Sequence, residues 1–198
     1  EAIRRGIEFH KPLEEDEPAS IRILKTVLAR FKVESKFRKD KMFYHRVFRN
    51  FDVYGDTDSF RINGNREVVI KEYKTTSKPM NALDPHYVSP YAFQVNIYAW
   101  ILEPLLDELN LKIAQRHEIY FVDSANGQPL TFWITPRAYT VIPPIQIAYD
   151  PAETLNTLNT IIDTYNGATQ PIPPKPYKCV NCHYRNQCPI PQKPTPFT

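Results

Sequence analysis

The stretch from Gly55 to Thr76, "GDTDSFRINGNREVVIKEYKTT", constrains this chain more than any other. Asn63, Gly64 and Asn65 form a turn signal between two runs of strand-forming residues, so the chain folds back on itself as an antiparallel hairpin. Side chains two apart on a strand leave the same face, which places Glu72 and Lys74 together. Pairing around the turn brings Asp58 to within a rung or two of Glu72. Two carboxylates on one face of neighbouring strands make a hard-oxygen pocket suited to Mg²⁺ or Mn²⁺, with the Lys74 ammonium beside it. A metal that acidifies water and polarises phosphate is a route to phosphodiester hydrolysis. Taken alone, Glu-x-Lys is commonplace on surface hairpins, and its weight comes from the rest of the chain.

Upstream of the hairpin, "EAIRRGIEFH" and "ASIRILKTVLARF" are expected to be helical, with Ile21, Leu24, Leu28 and Phe31 at helical spacing. Pro12 and Pro18 punctuate the acidic link between them, and Pro12 is expected to end the first helix just after His10. The aromatic, β-branched run "MFYHRVFRNFDVYGDTDSFRI" reads as strands. Downstream, "SPYAFQVNIYAWIL" reads as a helix with Ser89 as N-cap and Pro90 at its first position, and Pro104 is expected to kink or restart it. "KIAQRHEIYFVD" and "PLTFWITP" predict a second hairpin around "SANGQ". "YTVIPPIQIAY" can be only an edge strand, because Pro143 and Pro144 donate nothing to a ladder. A last helix is expected over "DPAETLNTLNTIIDTYNG", capped by Asp150 and closed by Gly167. This order argues for an α/β fold, bordering on α+β, with one mixed sheet.

The net charge of +3 is compatible with a nucleic-acid partner without requiring one. No apolar run is long enough to span a bilayer, so no membrane association is expected. All three cysteines, Cys179, Cys182 and Cys188, lie in "KCVNCHYRNQCP", a metal-ligand spacing rather than a disulfide framework, which fits a reducing cytoplasm. Three occupants suit the residues. An iron–sulfur cluster needs a fourth thiolate. Zinc would recruit His183 or another histidine, although His183 directly follows Cys182 and closes the same tetrahedron awkwardly. Covalent haem matches "CVNCH" literally but leaves Cys188 unexplained and requires export. Free thiols in a tail are the bland alternative. His45, His86 and His117 lack metal-ligand company, and Trp100 and Trp133 sit in apolar core contexts. The residues of "FYHRVFRN" and "EYKTTSKP" could line a DNA groove, with Arg49 and Lys78 on phosphates and aromatics on unpaired bases, or could be a solvated strand face.

Five motifs stand in order: Gly6-x-x-x-His10, Gly55-x-x-Asp58, Glu72-x-Lys74, Gln94-x-x-x-Tyr98 and Cys179-x2-Cys182-x5-Cys188-Pro189. The series resembles the RecB-like branch of the PD-(D/E)xK nuclease superfamily, and most of all the CRISPR-associated "Cas-four" iron–sulfur exonucleases; it is also similar to the AddB nuclease domain. The resemblance implies a restriction-endonuclease-like core over 1–178, with a mixed central sheet flanked by helices. It further implies a cluster-binding segment over 179–189 packed on that core, and a loose tail over 190–198. Residue by residue, it implies His10, Asp58, Glu72 and the Tyr73 carbonyl as ligands of Mg²⁺ or Mn²⁺, Lys74 as the catalytic lysine, and Gln94 and Tyr98 as DNA-positioning groups. Asp56, which shares a strand face with Asp58, is held as a candidate beside it. Cys179, Cys182 and Cys188 would hold a [4Fe–4S] cluster, with the fourth cysteine expected before Glu1. The implied activity is trimming of single-stranded DNA ends during CRISPR spacer acquisition, in partnership with the integrase complex. A viral or repair nuclease of the same branch, or a non-catalytic DNA-binding subunit, are the alternatives.

Overall fold

A computed structural model describes residues 18–35, 38, 41–76, 85–123 and 144–169. Gly6, His10, Lys78, Trp133, His183, the three cysteines, the first expected helix and the return strand of the second expected hairpin lie outside the described residues. The chain divides into two compact units, Glu1–Thr154 and Leu155–Thr198.

In the first unit, helix α1 (Ala19–Leu28) buries Ile21, Leu24 and Leu28, the stripe that its spacing requires. A three-residue 3₁₀ turn follows, and strands β1 (Val33–Glu34), β2 (Met42–Phe48) and β3 (Phe51–Gly55) form an antiparallel sheet in that order. The β2–β3 connection is two residues long, and Arg49 (φ 49°) and Asn50 (φ 69°) both occupy the left-handed region that such tight hairpins need.

The second sheet starts with the expected hairpin, β4 (Ser59–Ile62) against β5 (Glu67–Thr76). The turn works differently from its glycine signal. Asn63 organises it, its Oδ1 accepting from the backbone N–H groups of Asn65 and Glu67 at 3.0 Å each. The left-handed residue is Arg66 (φ 61°). Helix α2 (Pro85–Glu108) then carries the chain over to β6 (Lys112–Ile113) and β7 (Arg116–Asp123), both parallel to β5, and β8 (Ile145–Ala148) pairs antiparallel at the β7 side. The sheet is mixed, in the order β4-β5-β7-β8, and α2 packs against β2, β3, β5 and β6. Val68, Ile70, Val95, Ile101, Leu102, Leu106, Ile119 and Phe121, all essentially inaccessible, form its core.

Three expectations need correction. Helix α2 begins at Pro85, so Ser89 and Pro90 lie inside it rather than at its start. Pro85 suits a first helical position because its ring presets φ and the N–H it lacks would have no partner there. Helix α2 runs on through Pro104 and does not restart there. A proline there removes the N–H that would bond the carbonyl of Trp100, four residues back. Arg46 of β2 supplies the missing donor: its Nη1 bonds the Trp100 carbonyl, its guanidinium lies 4.2 Å from the centre of the Trp100 ring, and Glu103 stands 3.8 Å away.

The run 112–123 is also not one strand but two, β6 and β7, separated at Ala114 and Gln115. The interruption would orphan a donor of β5. His117, with no exposed surface, accepts from Ile70 N at its Nδ1 (3.3 Å) and takes the place of a backbone carbonyl. Burial holds this imidazole down at about pKa 4, so it is neutral. Trp100, 4% exposed, is a core residue as expected.

Helix α3 (Pro151–Tyr165) runs from Asp150, whose Oδ1 accepts from Glu153 N at 2.9 Å, to Gly167 with φ 73°. Both ends follow the sequence signals.

Candidate active site

The candidate catalytic groups converge where β3 ends, β4 begins and β5 runs past them. Continuing the β4–β5 register beyond Ser59↔Lys71 sets Asp58 opposite Glu72. The ladder itself stops at Ser59, and the Asp58 side chain takes over: its Oδ2 accepts from Tyr73 N at 2.8 Å. A strand residue turns its N–H and C=O toward the same neighbour, so the Tyr73 carbonyl also opens toward the Asp58 side. The two carboxylates and that carbonyl therefore share one corner of the sheet.

Glu72 and Lys74 leave the same face of β5 and touch, Lys74 Nζ donating to Glu72 Oε1 at 2.6 Å. Glu72 is 3% exposed, and its second oxygen, Oε2, is buried with no hydrogen-bond partner among the described residues. Burial, and next the negative charge of Asp58, push its carboxyl up to about 7, against the pull of Lys74. A buried acid with one orphaned oxygen beside a second carboxylate is a site short of positive charge. That suits a divalent cation, with Asp58, Glu72 and the Tyr73 carbonyl as the groups that would hold it. Among the described residues, no group of three or more His, Cys, Asp or Glu gathers as a metal site. His10 lies outside those residues.

Helix α2 supplies the wall. Gln94 and Tyr98, one turn apart, meet through a hydrogen bond from Gln94 Nε2 to the Tyr98 hydroxyl. That hydroxyl feels the site: burial raises its pKa, and Glu72, Asp58 and Asp56 raise it further while the Gln94 bond opposes them. Tyr91, also on α2, lies under Lys74, with Nζ 5.3 Å from its ring centre.

The structure separates Asp56 from Asp58. Asp56 is taken up by lysines, Lys32 at 2.8 Å and Lys41 at 3.5 Å, while Asp58 turns inward to β5. Lys25 of α1 donates to the Asp58 carbonyl at 2.9 Å and ties the helix to the loop. None of these three lysines stands out in the sequence, because each reaches the loop from a distant segment.

Gly55 is the other missed residue. The sequence offers it only as a spacing marker before Asp58. A Cβ there would lie 2.6 and 2.8 Å from Tyr98 Cδ1 and Cε1, and 3.1 Å from Ile101 Cδ1. The Tyr98 ring therefore rests on bare backbone, and only glycine leaves it room. The signal was its rarity: the chain has five glycines, and this one precedes an acidic loop.

A family model of the PD-(D/E)XK nuclease superfamily matches residues 3–189. The chain belongs to that superfamily. Its mixed sheet with flanking helices is the restriction-endonuclease-like fold of that superfamily, whose members typically use divalent metals. No curated protein matches the sequence significantly. Among solved structures, "Crystal structure of SSO0001" is similar at 16% identity and a TM-score of 0.49, over 93% of this chain and 68% of that one. No helix among the described residues is long and apolar enough to cross a membrane.

Proposed function

We propose that this superfamily member is a metal-dependent deoxyribonuclease whose active site is built by Asp58, Glu72 and Lys74. The observation that carries the reading is the Glu72 carboxylate: paired to Lys74 through one oxygen, orphaned at the other, and raised by burial and next by its neighbour Asp58. A purely structural glutamate would satisfy both oxygens or face solvent.

Asp58, Glu72 and the Tyr73 carbonyl would hold Mg²⁺ or Mn²⁺, with His10 as a further ligand. Bound there, the ion would acidify the attacking water and offset charge on the phosphate. The remaining work belongs to the protein. Asp58 is fixed by Tyr73 N and, through its carbonyl, by Lys25, so its carboxylate needs no reorganisation when substrate arrives. Lys74, held by Glu72 and seated on Tyr91, keeps an ammonium at the position where negative charge develops. Gln94 and Tyr98 form a hydrogen-bonded pair that would steady the strand beside the carboxylates.

The finer reading rests on the motif series. Its order supports the RecB-like branch and a likeness to the "Cas-four" exonucleases. With it come action on single-stranded DNA ends, a role in CRISPR spacer acquisition beside the integrase complex, and a [4Fe–4S] cluster held by Cys179, Cys182 and Cys188 with a fourth thiolate. The cluster would be structural, since hydrolysis moves no electrons.

The test is digestion of end-labelled single-stranded DNA with Mn²⁺ and with EDTA. Wild-type protein should cleave only with the metal, and Glu72→Ala and Lys74→Ala should each lose at least about 100-fold in rate, the scale of one lost electrostatic group. Wild-type rates in either variant, with circular dichroism unchanged, would remove the assignment.

A further inference from the structure

The β2–β3 hairpin has two faces of different character. Tyr44, Arg46 and Phe48 turn inward, where Tyr44 is 3% exposed and Arg46 and Phe48 lie against Trp100. Gly55, paired with Tyr44, carries Tyr98 on the same side. By the two-residue period the opposite face presents Phe43, His45 and Val47 from β2, with Asp52 and Tyr54 from β3.

That outer face is an aromatic row. His45 and Tyr54 are direct cross-strand partners with ring centres 5.0 Å apart, and Phe43 packs on the edge of Tyr54 at 6.4 Å. Asp52 holds the His45 ring through Nε2 at 2.9 Å, which fixes the orientation of that ring. None of the three rings is fully buried, and Val47 beside them is 56% exposed. Cations stand at both ends. Arg49 is exposed at the hairpin tip. Lys41 lies 5.4 Å from the Phe43 ring centre and at the same time 3.5 Å from Asp56. Through Lys41 the row therefore runs into the loop that carries Asp58 two residues on.

We propose that this outer face binds unpaired bases of a single-stranded DNA substrate and leads the strand to the candidate active site. The inference rests on the nuclease reading and adds to it which residues grip the strand. Half-buried aromatic rings offer faces and edges on which any base can stack, and flanking cations suit the phosphates between them. The ends of the row are basic and its centre uncharged apart from the His45–Asp52 pair, which suits a polyanion whose bases are uncharged. A protein partner would use the same apolar row without needing the cations, so the two occupants give different results.

The experiment is fluorescence anisotropy of full-length protein with labelled oligothymidine and, in parallel, a hairpin duplex, in EDTA so that nothing is cleaved. Tyr54→Leu and Phe43→Leu keep apolar bulk and remove the stacking plane. Each should weaken oligothymidine binding about 10-fold, the scale of about 1–3 kcal/mol for one lost base stack, and leave duplex binding within twofold. Lys41→Gln should weaken oligothymidine binding and lower its salt slope by about 0.7, one phosphate contact on a single strand. Unchanged oligothymidine affinity in both leucine variants, with melting temperatures near wild type, overturns the proposal, as does an equal loss on duplex. So does a row that instead holds a second copy, seen as a dimer that Tyr54→Leu dissolves. Metal-dependent cleavage by the wild type tests the nuclease reading separately. A wild type that cleaves while its leucine variants bind normally sinks only the row.

Discussion

Gly55 shows how much a single residue can fix in this site. It ends β3, and its missing Cβ is the space that the Tyr98 ring occupies. Alanine at this position would have to push a ring held against α2, because neither the strand nor the helix backbone can yield. Gly55→Ala should therefore cost about 1–3 kcal/mol of stability, the usual penalty of overpacking, and displace Tyr98 from Gln94. The measurable outcome is a lowered melting temperature together with at least a 10-fold fall in cleavage rate. A second substitution, Tyr98→Phe, would separate the causes, since it keeps the ring and removes only the hydroxyl that bonds Gln94. Gly55→Ala with full activity and an unshifted melting temperature would show that the contact is not tight. At this scale the sequence was informative about the placement of Asp58, Glu72 and Lys74, because period and turn alone put them together. It could not reveal Lys25, Lys32 and Lys41, which arrive from α1 and from the segments flanking β1 and are recruited only in three dimensions.

At the scale of elements, the sequence rules were right about existence and wrong about some ends. Helices α1 and α3 and the β4–β5 hairpin lie where periodicity and caps place them. Helix α2 does not, because Pro85 rather than Pro90 takes its first position, and because tertiary contacts replace the hydrogen bond that Pro104 cannot make. The repair makes a quantitative prediction. Arg46→Ala leaves the Trp100 carbonyl without its donor and removes a guanidinium from the indole face, which should destabilise by about 2–3 kcal/mol. If Pro104 is the reason that Arg46 is needed, Pro104→Ala restores a helical N–H and makes Arg46 partly redundant. A double-mutant cycle by urea denaturation should then show that Arg46→Ala costs at least about 1 kcal/mol less in the Pro104→Ala background. Strictly additive losses would mean that Arg46 stabilises by stacking on Trp100 alone. The broken strand β6–β7 has the same lesson: the run 112–123 looked continuous, yet the sheet is mended in the middle by a histidine side chain.

For the molecule as a whole, two buried ionisable groups act on stability in opposite directions over one pH range. His117 is held at about 4 in the folded chain against an ordinary 6.5. The unfolded chain therefore takes up the proton first, and stability is lost as pH falls from about 6.5 to about 4. Glu72 is raised to about 7 from 4.5. Here the folded chain takes up the proton first, so stability is gained as pH falls from about 7 to about 4.5. Each shift corresponds to about 3 kcal/mol at most, at 1.36 kcal/mol per pKa unit, so the two slopes largely offset each other in the wild type. Glu72→Gln removes one of them. The variant should be more stable than wild type at pH 8 by about 1–3 kcal/mol, a rise of roughly 2–10 °C in melting temperature for a chain of this size, while losing cleavage activity. The advantage should shrink to nothing by pH 4.5, where the wild-type carboxyl is protonated as well. What remains in the variant is the His117 slope, steeper than in the wild type between pH 6.5 and 4. Calorimetric scans of both proteins across pH 4.5–8 in EDTA decide the matter. A constant offset between the two curves would mean that Glu72 titrates normally, and with it would go the picture of a buried carboxylate kept short of positive charge.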